Sequence, residues 1–81
     1  MKIQYAEKLR KSYVAAPANI RKAFDKQVRL LLTNRQHPSL HAKKYDEGRN
    51  VWQGRINQDW LFYFTIEDDT YFIVDMTRHP K

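Results

Sequence analysis

The sequence predicts an α+β fold in which an N-terminal helical hairpin packs on a small, twisted antiparallel sheet. Two observations lead to this prediction. The first half has apolar residues at the helical spacing of three and four, whereas the last third alternates apolar and polar residues with a period of two. Because 81 residues suffice for one modest hydrophobic core, we expect a single domain over residues 1–81.

A short strand and a helix are predicted at the start of the chain. Residues 3–5 are expected to form the strand. Residues 6–15 are expected to form the helix, because Leu9 and Tyr13 lie four positions apart on one side of it. Pro17 ends this first helix, since proline cannot continue a helix from within.

The second helix is predicted over residues 18–33, because proline is tolerated in the first turn of a helix. Its apolar stripe consists of Ile20, Ala23, Phe24, Val28 and Leu31. Two helices joined by a proline turn form an αα-hairpin. Residues 34–50 have few apolar side chains and predict a loop, with a short extended piece at residues 40–45.

The alternation in residues 52–66 predicts two strands joined by a tight turn. A turn at residues 57–59 sets Arg55 opposite Leu61. In this register, one face carries the apolar side chains that meet the helices: Trp52, Ile56, Trp60, Phe62 and Phe64. The other face is expected to be open and to carry Arg55, Leu61 and Tyr63.

The register of the last strand depends on the turn near residues 68–69. The core-facing set would be Tyr71, Ile73 and Asp75 after a two-residue loop, or Phe72, Val74 and Met76 after a three-residue loop. The three-residue loop is preferred, because burying Asp75 without a partner would be costly. This choice also brings His79 to the face that carries Arg55.

The positive charge is concentrated in the first part of the chain. Residues 1–49 carry twelve basic and four acidic side chains, whereas residues 50–81 carry three basic and five acidic ones. The whole chain has a formal net charge of +6. A surface this basic favours a polyanionic partner, such as RNA, DNA, the ribosome or an acidic protein. The alternative is a solvated helical face that only keeps the protein in solution.

Several kinds of site are excluded or disfavoured by the composition. The chain has no cysteine, which excludes disulfides and thiolate metal sites. Two glycines cannot form a glycine-rich phosphate loop, and the three histidines lack metal-ligand spacing. We therefore expect no metal and no cofactor. No apolar run approaches the roughly 20 residues that span a bilayer, and no signal region is evident, so we expect a cytoplasmic protein.

The order of helical hairpin, basic loop and three antiparallel strands resembles the RelE/ParE superfamily of toxin–antitoxin toxins. The specific likenesses lie in residues 24–34, 37–40, 52–56, 60–64, 68–69 and 78–79. The likeness covers nearly the whole chain. No single motif is diagnostic, and it is the combination in this order that is specific.

The resemblance implies a toxin of a type II toxin–antitoxin system. RelE-like members are ribosome-dependent messenger RNA endonucleases, in which the RNA's own 2′-hydroxyl attacks the phosphate and leaves a cyclic phosphate. ParE-like members inhibit DNA gyrase, and members of both kinds are neutralised by a small antitoxin. The leading expectation is an mRNA endonuclease whose partners are a cognate antitoxin, the ribosome and mRNA. The alternative is a non-catalytic binding module, either a gyrase inhibitor or an inactive homologue that binds only its antitoxin.

The resemblance also implies site residues. Arg55 matches a strand position where RelE-like toxins carry a phosphate-contacting lysine or arginine. His79 matches a C-terminal position that supplies histidine or tyrosine in several ribonuclease members, and Arg78 extends the cationic edge beside it. The implied RNA- or ribosome-binding residues are Lys43, Lys44, Arg49, Tyr63 and Lys81. His37 and His41 are expected to pack or to face solvent.

Leu61 departs from the family pattern. Family members usually have an aromatic residue followed by arginine here, and this chain has Trp60 followed by Leu61. Loss of one phosphate contact costs about 2–4 kcal/mol in a transition state. The chain is therefore expected to be a weakened enzyme, an inactive relative, or one in which Arg55 and Arg78 do this work. The loop glutamate of some members also lacks a counterpart, because Glu47 is displaced.

Overall fold

The computed structural model describes residues 1–79, which form two helices packed on a five-stranded sheet. In chain order the elements are β1 (Lys2–Tyr5), α1 (Glu7–Ala15), α2 (Ala18–Thr33), β2 (Lys43–Asp46), β3 (Val51–Arg55), β4 (Trp60–Glu67) and β5 (Thr70–Arg78). A turn of 3-10 helix, Pro38–Leu40, lies between α2 and β2. The strands lie side by side in the order β1-β5-β4-β3-β2. Within residues 1–79, no helix is long and apolar enough to cross a membrane.

The predicted α+β fold class is confirmed, with one difference in the sheet. β1 runs parallel to β5, and the three other strand pairs are antiparallel. The sheet is therefore mixed rather than wholly antiparallel. The parallel pair is possible because both helices and three strands separate β1 from β5, which gives the long crossover that parallel strands require.

The second helix has the predicted bounds, and its predicted stripe faces the core. Ile20, Phe24, Val28 and Leu31 are buried, and Ala23 packs against them. The Phe24 ring meets the Phe62 ring edge-on with their centroids 5.8 Å apart. This contact fixes α2 over the middle of the sheet. The face that carries Phe62 is called the inner face below.

The predicted register of the β3–β4 hairpin is also confirmed. Arg55 lies directly opposite Leu61. The Asn57 side chain holds the turn, because its Oδ1 accepts hydrogen bonds from the backbone N–H groups of Asp59 at 2.8 Å and Trp60 at 2.9 Å. The face that carries Arg55 and Leu61 is called the outer face below.

The predicted register of the last strand is wrong next to its turn. Glu67 pairs with Thr70, so the loop has two residues rather than three. Asp68 takes up the turn with a left-handed backbone at φ 53°. The buried side chains after the turn are those of the rejected alternative, Tyr71 and Ile73, whereas Phe72 and Val74 are only partly buried.

A β-bulge at Val74 then shifts the alternation of β5 by one residue. Met76 is consequently buried, as predicted. Asp75 is partly buried, but Ser12 Oγ donates a hydrogen bond to it at 2.7 Å and Lys8 Nζ lies 3.5 Å from it. The carboxylate has partners, so the two-residue loop does not carry the cost of an unpartnered buried charge.

Candidate functional site

A polar groove opens on the outer face where the ends of β3 and β5 meet the loop before β2. Its volume is about 290 Å³. It is lined by His41, Ala42, Lys43, Gln53, Arg55, Leu61 and His79, and it is called the outer groove below. Arg55 and His79, which the sequence predicted on one face, therefore line the same groove.

Strand pairing brings Arg55 and His79 together. Arg55 is the last residue of β3 and pairs with Leu61, which in turn pairs with Thr77 of β5. Residues directly opposite each other project from the same face of a sheet. His79 follows two positions after Thr77, and its backbone N–H donates a hydrogen bond to the Asp59 carbonyl at 2.6 Å. That bond keeps the chain beside β4 beyond the end of β5.

Leu61 forms an apolar floor in the outer groove. It projects from the predicted face, but it is only 3% exposed, so the expectation of an open position is wrong. A leucine at this place offers no contact to a phosphate. It does keep water from the inner side of the groove, which strengthens the attraction between Arg55 and an anion.

Two cations line the outer groove, and no carboxylate lines it within the described part of the chain. Lys43 is exposed and Arg55 is half-buried. Neither forms an ion pair with any carboxylate of residues 1–79. Gln53 adds an amide that can donate and accept hydrogen bonds. The groove is therefore suited to a phosphate or a similar anion.

His41 lines the outer groove as well, and the sequence assigned it no role. Its backbone is left-handed at φ 46°, which is uncommon outside glycine. Its N–H donates a hydrogen bond to the Pro38 carbonyl at 3.2 Å. This conformation turns the chain out of the 3-10 turn and into β2. Nothing in the sequence distinguishes such a loop histidine from a solvated one.

Gln27 fastens two walls of the outer groove to α2. Its Nε2 donates hydrogen bonds to the Arg55 carbonyl at 2.8 Å and to the Ser39 carbonyl at 3.2 Å. The residue is 5% exposed. The end of β3 and the turn that precedes His41 are thus held to the same side chain. A polar residue that interrupts the apolar stripe of α2 is the signal that would have identified it.

Tyr63 lies on the outer face beside the groove. It pairs with Gln53, and its ring centroid is 4.9 Å from that of Tyr45. Burial raises the pKa of the Tyr63 phenol, with smaller contributions from Tyr45 and Asp75. The phenol therefore stays protonated at neutral pH and can donate a hydrogen bond, while the ring pair offers a surface for a base.

Two predicted site residues project away from the outer groove. Lys44 pairs with Trp52, and Arg78 pairs with Trp60, so both pairs belong to the inner face. The reason is the alternation of a strand, in which neighbouring residues point to opposite faces. Lys43 and His79 therefore line the groove, whereas Lys44 and Arg78 do not.

The remaining predicted residues also lie elsewhere. Arg49 follows β2 in the turn to β3, where its Nε is 3.7 Å from the Asp46 carboxylate. His37 caps the 3-10 turn, and its Nδ1 accepts a hydrogen bond from the Ser39 N–H at 3.2 Å. Lys81 lies outside the described residues.

Solved structures share this whole architecture. A YoeB/ParE toxin from Agrobacterium tumefaciens matches with a TM-score of 0.81 at 12% identity, covering 99% of this chain and 100% of that one. The chain has the YoeB/ParE toxin fold. The RelE/ParE-type architecture predicted from the sequence is thereby confirmed.

Other structures with this toxin fold match similarly. YafQ from E. coli strain BL21(DE3) gives a TM-score of 0.79 at 12% identity, covering 96% of this chain and 92% of that one. YoeB in a heterotetrameric YoeB–YefM toxin–antitoxin complex from Staphylococcus aureus gives 0.78 at 14% identity, covering 99% and 98%. YafQ is also known in a DinJ–YafQ toxin–antitoxin complex. No protein-family model and no curated protein matches the sequence.

Proposed function

We propose that this chain is the toxin of a type II toxin–antitoxin system and that it cleaves messenger RNA on the ribosome. The observation that carries the proposal is the meeting of Arg55, Lys43, His41 and His79 in one groove of a YoeB/ParE-type sheet. This target places the site of action in the cytoplasm.

Cleavage of RNA by its own 2′-hydroxyl makes three demands. A base accepts the 2′ proton, cations stabilise the charge that builds on the phosphate, and an acid donates a proton to the departing 5′ oxygen. The bond between phosphorus and the 2′ oxygen forms as the bond to the 5′ oxygen breaks. The products are a 2′,3′-cyclic phosphate and a free 5′-hydroxyl.

The residues of the outer groove match these demands. Arg55 and Lys43 supply positive charge for the phosphate oxygens, with Arg55 held against the apolar floor. His41 and His79 supply two imidazoles, and histidine can act as either base or acid near neutral pH. In this assignment one imidazole accepts the 2′ proton and the other protonates the 5′ oxygen. The tyrosines beside the groove offer rings for a neighbouring base.

The leucine at position 61 lowers the expected rate of RNA cleavage. Without an arginine at this position the groove has two cations for the phosphate rather than three. The loss of one such contact lowers the rate about a hundredfold to a thousandfold. We therefore expect a slow nuclease whose activity depends on Arg55 more strongly than in a relative with both arginines.

A cognate antitoxin is the proposed protein partner. Toxins of this fold are known in complexes with the antitoxins DinJ and YefM. The net charge of +6 favours an acidic partner, because complementary charge speeds association. Neutralisation would follow if the partner covers the outer groove.

Transcript mapping after induced expression tests the function. We expect new 5′ ends within translated regions, dependent on ribosomes, in cells that express the parent chain. The Arg55→Ala, His79→Ala double variant should produce none, whereas the control Lys26→Ala, Arg29→Ala on the exposed side of α2 should cleave like the parent. Intact transcripts together with gyrase-dependent DNA damage would contradict the proposal and favour a gyrase inhibitor. Intact transcripts and undamaged DNA would favour an inactive homologue.

A further inference from the structure

A second groove borders the outer groove. Its volume is about 340 Å³. It is lined by Arg35, Gln36, His37, Pro38, His41, Ala42 and Trp52, and it is called the second groove below. It lies where the loop after α2 passes the exposed end of the inner face.

Two cations meet on the Trp52 indole. The Arg35 guanidinium carbon is 5.7 Å from the ring centroid, and Lys44 Nζ is 5.3 Å from it. Both distances are within the range of cation–π attraction. Phe64 stacks on the same indole at 6.2 Å, which fixes the ring. Both positive charges therefore lie beside the same fixed ring.

These two charges are not neutralised by nearby acids. Within residues 1–79, neither Arg35 nor Lys44 forms an ion pair, and no carboxylate lines the second groove. Two cations beside one ring without a counter-charge leave a local excess of positive charge, which attracts an anion. Arg35 can also donate two parallel hydrogen bonds to a phosphate.

The two grooves share a wall. His41 and Ala42 line both of them, so the anion sites lie on either side of one short segment. A polymer with a negative charge on every unit can reach both sites across this wall. RNA is such a polymer, and its 2′-hydroxyl and phosphate are the groups on which the chemistry proposed for the outer groove acts.

We propose that the second groove binds the phosphodiester of a nucleotide next to the one that is cleaved. Its ligands are Arg35, which lines the groove, and Lys44, which lies beside the Trp52 indole of the lining. This assignment rests on the proposed function of the outer groove. It makes Arg35 and Lys44 responsible for affinity and for the length of RNA that is bound, and it gives them no role in the proton transfers.

Binding of RNA that cannot be cleaved tests the role of Arg35 and Lys44 in affinity separately from catalysis. Oligonucleotides with 2′-O-methyl groups lack the nucleophile, so affinity can be measured at equilibrium by fluorescence anisotropy over a range of salt concentrations. The test variant is Arg35→Gln, Lys44→Gln, and the matched control is Lys26→Gln, Arg29→Gln on the exposed side of α2. Each removes two positive charges. Circular dichroism and a urea titration confirm that both variants are folded.

The expected result is specific to the second groove. Losing one phosphate contact lowers the slope of log affinity against log salt by about 0.7 in the test variant, and the control keeps the parent's slope. The parent should bind a tetranucleotide more tightly than a dinucleotide, and the test variant should bind both alike. If the double variant does not fold, Lys44→Gln against Lys26→Gln gives the same comparison.

Three results would overturn the proposal. Equal losses in the test and control variants would mean that only overall charge matters. Poly-glutamate that binds more tightly than RNA, with the same dependence on Arg35 and Lys44, would assign the groove to an acidic protein. A parent that binds no oligonucleotide also overturns it, and transcript mapping then decides separately whether the outer groove cleaves RNA.

Discussion

The side-chain amide of Gln27 donates a hydrogen bond to the backbone carbonyl of Arg55 at 2.8 Å, across the buried interface between α2 and β3. The same amide nitrogen reaches the Ser39 carbonyl at 3.2 Å. The position of the groove's guanidinium and the position of the loop that carries His41 are therefore set by one buried residue. A change at this residue should disturb the groove without touching any side chain that is proposed to contact RNA.

Replacing Gln27 by methionine keeps the volume and removes both hydrogen bonds. Leaving two carbonyls without their donor should lower the free energy of unfolding by about 1–3 kcal/mol. Cleavage should fall further than the loss of folded protein explains, because the groove walls are no longer held together. Urea denaturation and single-turnover cleavage measure the two effects. The exposed Gln58→Met is the control, and equal behaviour of the two variants would show that Gln27 does not position the groove.

Replacing Gln27 by glutamate gives a pH-dependent version of this test. An ionised carboxylate would face two carbonyl oxygens in a buried place, so its pKa in the folded state should lie above its value in the unfolded chain. The variant should then be closest to the parent in stability below the unfolded value and should lose stability as the pH rises through the folded one. Denaturation at several pH values between 4 and 8 checks this. A penalty that does not change with pH would contradict the assigned contacts.

Replacing His41 by asparagine should slow cleavage about 10²- to 10⁴-fold, because a positioned imidazole contributes that much as a general acid or base. The stability should barely change, since the side chain is exposed. Single-turnover cleavage on programmed ribosomes is the measurement, and Arg29→Asn is the control because Arg29 is exposed on α2 and lines neither groove. A variant of His41 that cleaves at the parent's rate would remove this residue from the proposed chemistry.

Replacing Leu61 by arginine should raise the cleavage rate by up to about a hundredfold, because the guanidinium would add a third cation to the outer groove. The same change should lower stability by about 1–3 kcal/mol, since the leucine is buried. A growth assay and urea denaturation follow the two effects. The control is Leu32→Arg, where the leucine is 40% exposed. A folded Leu61→Arg protein with no gain in cleavage would argue that the groove does not act on phosphate.

High pH should weaken the fold through the tyrosines. The pKa of Tyr63 is raised mainly by burial, as are those of Tyr5 and Tyr13. A phenol with a raised pKa in the folded state contributes stability below its unfolded value near 10, and that contribution is lost as the pH rises through the folded value. Denaturation from pH 8 to 11 should show the decline, and Tyr63→Phe should make it shallower. An unchanged decline in that variant would contradict the burial of this phenol.

The parts of the fold that could be predicted depend on residues that are close to one another in the sequence. The stripe of α2 recurs within one helix, and the turn at residues 57–59 fixes the register of Arg55 and Leu61 within a few residues. The bulge at Val74 could not be predicted, because its neighbour Asp75 is stabilised by Ser12, which lies 63 positions away. The parallel pairing of β1 with β5 could not be predicted either, because it joins strands that are far apart in the sequence.

The candidate site also contains residues that local sequence rules place and residues that they do not. Arg55 could be placed because strand alternation is a local rule. His79 lies on the predicted face because the two-residue loop and the bulge at Val74 together restore the predicted alternation. Lys44 and Arg78 were grouped with their sequence neighbours, although that rule puts them on the inner face. His41 lines the groove because its own backbone is left-handed, and no pattern in the sequence indicates that conformation.

Cleavage of a defined messenger RNA on purified ribosomes is the decisive test of the proposed nuclease. We expect the parent chain to produce fragments with a 2′,3′-cyclic phosphate and the Arg55→Ala, His79→Ala variant, shown to be folded, to produce none. Equal cleavage by the parent and this variant, or no cyclic phosphate from an active parent, would contradict this expectation.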